Sequence, residues 1–197
     1  MAPIKEIELK FKLTEEDKAA LLSRLNELSA KHEGHKKEID YYYARQGRDF
    51  MQTKECLRIR YTPDYTEITY KPATTEEMKE AQSFWKKEIN LRIDGQLEQA
   101  REFLQGLGCI EFVKVAKERD TYKLNEVIIA LDYIEGVRWF AELEIQDENE
   151  MNALAALKKC AQELNIKSES IVTEPYRDLC MKKDIVDTSS PAPRGEA

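Results

Sequence analysis

The sequence predicts an α+β protein whose antiparallel strands carry charge on one face and helices on the other, and three observations carry that prediction. KEIELKF at residues 5–11 and KEINLRI at 87–93 both alternate Ile, Leu or Phe with charged or amide side chains, so the pleat sends the two kinds to opposite faces. The order of elements that follows each copy repeats. Between the strand-like segments lie runs with apolar residues three and four apart, the spacing of amphipathic helices.

A strand over about 4–13 leads to Thr14 and to a run in which Leu21, Leu22, Leu25 and Leu28 share one helical face, with Asp17 in capping position. Strands at 38–45 (EIDYYYAR), 56–62 (CLRIRYT) and 67–72 (EITYKP) follow, the last two joined by a turn at Pro63-Asp64, and 72–82 reads as a polar connector. The second copy opens with a strand over 84–93. Asp94 then caps a helix with Leu97, Ala100, Phe103, Leu104 and Leu107 on one face, ended by Gly108. Three more strands occupy 110–124, 127–136 and 137–145, with turn signals at Asn125-Glu126 and Glu135-Gly136. Each half thus reads β-α-β-β-β. A last helix over about 148–164 gathers Met151, Leu154, Leu157, Ala161 and Leu164, and residues 184–197 hold too little apolar surface to fold. The expectation is one domain over 1–183 and a disordered tail over 184–197.

Composition narrows the function classes. The 197 residues are 35% charged with a net charge of -7, a field that repels a phosphate backbone and argues against nucleic acid as a partner. Cys56, Cys109, Cys160 and Cys180 form no CxxC pair and read as reduced thiols. No apolar run approaches the roughly 20 residues of a membrane span, so a cytoplasmic protein without membrane contact is expected, as a monomer or homodimer.

The polar strand faces carry Glu6, Glu8 and Lys10; Arg58 and Arg60; Thr69 and Lys71; Lys86, Glu88, Asn90 and Arg92; Lys117 and Arg119; Asp132; and Glu142 and Glu144. An antiparallel sheet with one wet face produces such alternation by itself. Eight strands can instead close into a barrel with the helices outside and the charges within, which also removes exposed edges. Enclosed ions persist only when paired with one another or with a charged ligand. A wall of cations and carboxylates suits a polyphosphate with a divalent metal, since Lys and Arg bind phosphate oxygens and carboxylates spaced i, i+2 hold Mg²⁺ or Mn²⁺.

With E-x-E-x-K at Glu6, Glu8 and Lys10, LRIR at 57–60, Lys71, K-x-R at Lys117 and Arg119, the aspartate of ALDYIEG, and E-x-E at Glu142 and Glu144, the chain resembles the CYTH family, also called triphosphate tunnel metalloenzymes. The six matches run in order as far as about Tyr176 and lean toward the class IV adenylyl cyclase branch. The resemblance implies a closed eight-stranded antiparallel barrel, a tunnel built from two β-α-β-β-β units with helices packed outside. It implies that Lys10, Arg58, Arg60, Lys71, Lys117 and Arg119 hold a triphosphate, that Glu8, Glu88, Asp132, Glu142 and Glu144 hold Mg²⁺ or Mn²⁺, and that Glu6, Glu8 and Lys10 act in catalysis. The function expected is hydrolysis of tripolyphosphate, a nucleoside triphosphate or thiamine triphosphate. The alternatives are cyclisation of ATP to cyclic AMP and pyrophosphate, and binding of polyphosphate or nucleotide without turnover. Two departures stand out: Gly136-Val137-Arg138-Trp139-Phe140 replaces the G-L-G-x-F of many cyclase-like members, and Asn90 replaces a second acidic residue after Glu88.

Other features read as structure. HEGH at 32–35 reads as a surface loop, at least two of Tyr41, Tyr42 and Tyr43 as core, with a lumen-facing Tyr42 beside Asp40 as the alternative for that ring, and Lys158 and Lys159 as solvated.

Overall fold

The structure, a computed structural model, describes residues 5–74 and 88–188. Its elements run β1 (Lys5–Leu13), α1 (Glu15–Glu27), β2 (Lys31–Arg45), a single helical turn α2 (Phe50–Thr53), β3 (Cys56–Tyr61), β4 (Thr66–Lys71), β5 (Ile89–Arg92), α3 (Leu97–Gly106), β6 (Cys109–Leu124), β7 (Val127–Ile134), β8 (Arg138–Asp147), α4 (Glu150–Glu163) and α5 (Tyr176–Thr188). The β-α-β-β-β order appears twice, and every ladder is antiparallel. No helix among the described residues is long and apolar enough to cross a membrane.

The eight strands form one sheet in the order β1-β8-β7-β6-β2-β3-β4-β5. Closure into a ring was expected, but no ladder joins β1 to β5 among the described residues. β5 is only four residues long and has little edge to offer. The sheet nevertheless curls until side chains of β1 and of β4 line the same cavity.

The apolar faces turn outward and are covered by helices. Ile7, Leu9 and Phe11 of β1 and Leu143 of β8 pack with Leu21 and Leu25 of α1 and Leu157 of α4, each fully buried aliphatic side chain contributing about 1.5–3 kcal/mol. α1 starts as expected: Thr14 accepts from the Asp17 amide, and the Asp17 carboxylate accepts in return from the Thr14 amide. Tyr43 and Ile59 pack on Ala100 and Leu104 of α3.

Several expectations are corrected. Phe103, Leu107 and Met151 are exposed rather than core, because α3 and α4 touch the sheet along stripes centred on Ala100 and Leu104 and on Ala153 and Leu157. Ile89 and Leu91 of the short edge strand are also exposed. Gln96, not Asp94, precedes α3, and Asp94 accepts instead from the Thr66 amide and Arg92. HEGH belongs to β2, where a bulge at His32/Gly34 lets His32 and His35 both reach Asp120, at 3.0 and 3.2 Å. The expected strand start at 84–87 and most of the connector at 72–82 lie outside the described residues.

The largest addition is α5. It carries the backbone through Thr188, so 184–188 lie in a helix rather than in a tail, while 189–197 lie outside the described residues. Tyr176 and Cys180 of α5 pack against Tyr42, Val113, Val115, Ile134 and Phe140, five strand residues on the same faces as the charged side chains. One end of the sheet's interior is therefore apolar and filled by α5.

Candidate active site

Beyond that apolar end, the inward strand faces enclose a cavity of about 750 Å³. β1 contributes Glu6, Glu8 and Lys10; β3 contributes Arg58 and Arg60; β4 contributes Lys71, and Glu88 enters just before β5. Lys117 and Arg119 come from β6, and Glu142 and Glu144 from β8. All the site residues expected from the sequence thus meet in one cavity except Asp132. That residue is fully buried behind the wall, its oxygens taken by Arg119 at 2.7 and 2.5 Å and by the Tyr176 hydroxyl at 2.9 Å. It stands where a cation-holding partner stands, not where a metal ligand must reach the lumen.

The cations are matched by a rear layer of carboxylates. Asp40 accepts from Arg60 Nε and Nη2, both at 2.7 Å, and from Arg58 Nη1 at 3.2 Å. Glu38, wholly buried, lies 3.0 Å from Lys117 Nζ and 3.3 Å from Arg60 Nη1. Burial opposes ionisation of Glu38, but Lys117, Arg60 and Arg119 outweigh it and hold the carboxyl down to about 2. Its partner moves the other way, since burial and the neighbouring Arg119 charge draw the Lys117 ammonium below its ordinary range in spite of Asp132 and Glu38. Glu142 pairs with Lys10 at 3.3 Å and with Arg119; against its burial these cations keep it well below the usual carboxylate range. Lys71 likewise holds Glu88 down against the effect of burial, with Asn90 donating to Glu88 at 3.5 Å.

Glu6, Glu8 and Glu144 stand apart, with no ion pair among the described residues. Glu8 and Glu144 are direct partners in the β1–β8 register. Burial, then the charge and hydrogen bond of Glu6, then Glu8, push Glu144 up to about 7. Burial and the Glu142 charge also raise Glu8, against Lys10 and Lys71. The wall therefore combines ion-paired cations with a crowded group of carboxylates, Glu6, Glu8 and Glu144, that lack an ion pair among the described residues.

These three carboxylates fit a hard divalent cation in charge and donor type. Among the described residues no three acidic, imidazole or thiol side chains already converge as a metal cluster. Of the expected metal set, Glu8 and Glu144 retain that character, whereas Glu88, Glu142 and Asp132 are engaged by cations.

Glu38 and Tyr176 are the functional residues that sequence reasoning missed. Glu38 and Asp40 follow the same charge alternation as the other strands, so that signal was present. Tyr176 sits in a helix with no strong periodicity, its ring 4.3 Å from Lys10 Nζ and 5.4 Å from Lys117 Nζ. Phe140, from the segment that departs from G-L-G-x-F, packs against it with the ring centroids 5.1 Å apart and the planes tilted by 59°.

The CYTH domain profile matches residues 5–176. A Methanocaldococcus jannaschii protein, named as a candidate adenylate cyclase, is 30% identical over 177 residues, 88% of this chain and 97% of its own length. The structure of a Pyrococcus horikoshii OT3 protein superposes with a TM-score of 0.74 at 28% identity, covering 90% of this chain and 99% of that one. A Hippeastrum protein, a candidate adenylyl cyclase with a dominant triphosphatase activity, shares the fold with a TM-score of 0.68 at 15% identity, covering 92% of this chain and 96% of its own.

Proposed function

Since the chain belongs to the CYTH domain family, we propose that it is a divalent-metal-dependent hydrolase of linear triphosphates, with tripolyphosphate as the simplest substrate. The observation that carries this reading is the mixed lining of the cavity, in which Lys10, Arg58, Arg60, Lys71, Lys117 and Arg119 share the wall with Glu6, Glu8 and Glu144, carboxylates with no ion pair among the described residues. Lys10, Arg58, Arg60, Lys71, Lys117 and Arg119 bind the phosphate oxygens and neutralise charge as the P–O bond breaks, the part preorganised cations play in phosphoryl transfer. Glu8 and Glu144, with Glu6 beside them, would hold Mg²⁺ or Mn²⁺, which supplies a Lewis acid to the phosphate oxygens. In this reading Glu6 would accept the proton of the attacking water, and Lys10, which pairs with Glu142 at 3.3 Å, would neutralise charge on the leaving oxygen.

Cyclisation of ATP is the second reading, favoured by the name of the Methanocaldococcus jannaschii relative. It requires a seat for the base that brings the ribose hydroxyl onto the α-phosphate. The two aromatic side chains that line the described cavity, Tyr42 and Tyr176, are 7% and 8% exposed and offer little face for stacking. Incubation with tripolyphosphate, ATP and thiamine triphosphate, each with Mg²⁺ or Mn²⁺, separates the readings: orthophosphate supports hydrolysis, cyclic AMP with pyrophosphate supports cyclisation, and binding without product supports neither.

A further inference from the structure

Asp40 does not line the cavity, yet both arginines it grips do. It is 3% exposed and stands directly opposite Arg60 in the β2–β3 register. Its two oxygens take the Nε–Nη2 edge of Arg60 side-on, and Oδ2 also receives Arg58 Nη1. A guanidinium carries five N–H donors in a fixed fork, so binding one edge fixes where the others point. Joining two strands does not require this: a buried ion pair is commonly matched or bettered in stability by apolar side chains of similar volume.

We propose that Asp40 is a positioning residue that aims Arg58 and Arg60 at neighbouring phosphates, so that the cavity distinguishes a chain of phosphates from a single one. The proposal rests on the reading of the cavity as a polyphosphate site. It also has a sign that separates it from plain electrostatics. A carboxylate behind two cations lowers the positive potential felt by an anion, so if Asp40 acted through charge alone its removal would tighten the binding of every phosphate. A positioning residue gives the reverse: its loss loosens both side chains, leaving Arg60 only Glu38 at 3.3 Å from Nη1, and the ligand must order them again on binding. The penalty falls mainly on the ligand that needs both arginines at once.

Asp40→Asn and Asp40→Glu test it together, with binding measured by calorimetry in EDTA at matched ionic strength and folding checked by melting. Asp40→Glu keeps the charge and moves the carboxylate by one methylene, so the pair separates charge from placement even if one variant fails to fold. The expected result is a tenfold or greater loss of tripolyphosphate affinity with less than a threefold change for orthophosphate. In an Arg58→Lys/Arg60→Lys background, where both forks are gone, the same substitutions should change tripolyphosphate affinity by less than threefold. Unchanged or tighter tripolyphosphate binding in the folded variants, or an equal loss in the Arg58→Lys/Arg60→Lys background, overturns the proposal while wild-type binding stands. If the wild type itself fails to bind tripolyphosphate, the polyphosphate reading falls and the proposal falls with it.

Discussion

Glu8 and Glu144 face each other as direct partners of the β1–β8 ladder, two carboxylates across one pair of strands with no cation of their own among the described residues. Like charges directly opposite in a sheet are destabilising. Two positions further along, the ladder sets Lys10 against Glu142 and the repulsion becomes attraction. The pairing thus concentrates unneutralised charge at one spot of the cavity.

A divalent cation at that spot should matter to both stability and rate. Glu8→Gln and Glu144→Gln should each raise the melting temperature in EDTA, since one of two repelling charges is gone, and each should abolish the further rise that Mn²⁺ gives the wild type. Metal-dependent turnover should fall a hundredfold or more, about 2.7 kcal/mol of transition-state stabilisation. Wild-type rates in both variants at saturating metal would remove these residues from the metal site.

The arginines of β3 should dominate substrate affinity. Arg58→Ala and Arg60→Ala each remove a charge-assisted donor set from a water-poor wall, at a cost of roughly 1.5–3 kcal/mol, whereas Lys158→Ala, on the exposed face of α4, should leave tripolyphosphate affinity within experimental error. Calorimetric affinities equal across the three variants would place the arginines on an ordinary solvated sheet.

Glu38 makes an acid-side prediction. Its carboxyl is held at about 2 in the folded protein against 4.5 for an unperturbed glutamate. Its contribution is therefore complete above about pH 4.5 and is lost as pH falls toward 2. Glu38→Gln leaves Lys117 and Arg60 short of a buried partner, at a cost of roughly 3–5 kcal/mol near neutrality. Denaturation curves should show that deficit at pH 7 and a narrowing gap between variant and wild type below pH 4.5. A gap that is constant with pH would mean that Glu38 is not ionised in the fold.

Ligand size should register in melting temperature. In EDTA, tripolyphosphate at 100 times its dissociation constant should stabilise the fold by about 2.7 kcal/mol, a shift of several degrees for a domain of this size. Orthophosphate at equal ionic strength spans fewer of the cations and should do much less. Equal shifts for the two anions would contradict a cavity built for a phosphate chain.

The strands, the duplicated order of elements and the identity of the charged face were legible in the sequence because each follows from a two-residue period that needs no partner to be read. Glu6, Glu8 and Lys10 already share a face in an isolated strand, and so do Arg58 and Arg60. What remained out of reach was which carboxylate meets which cation. Glu142 and Glu144 look alike along the chain, yet the β1–β8 register sets one against Lys10 and the other against Glu8, and Arg119, reaching across β7, forms its ion pair with the first. The same holds for Asp132, drawn behind the wall by Arg119 and Tyr176, and for α5, whose docking surface is assembled from residues of four different strands. Side-chain direction is a local property of the backbone, fixed by covalent geometry, and the sequence determined it; ion pairing and burial depend on distances between residues far apart in the chain, and only the tertiary structure decided them.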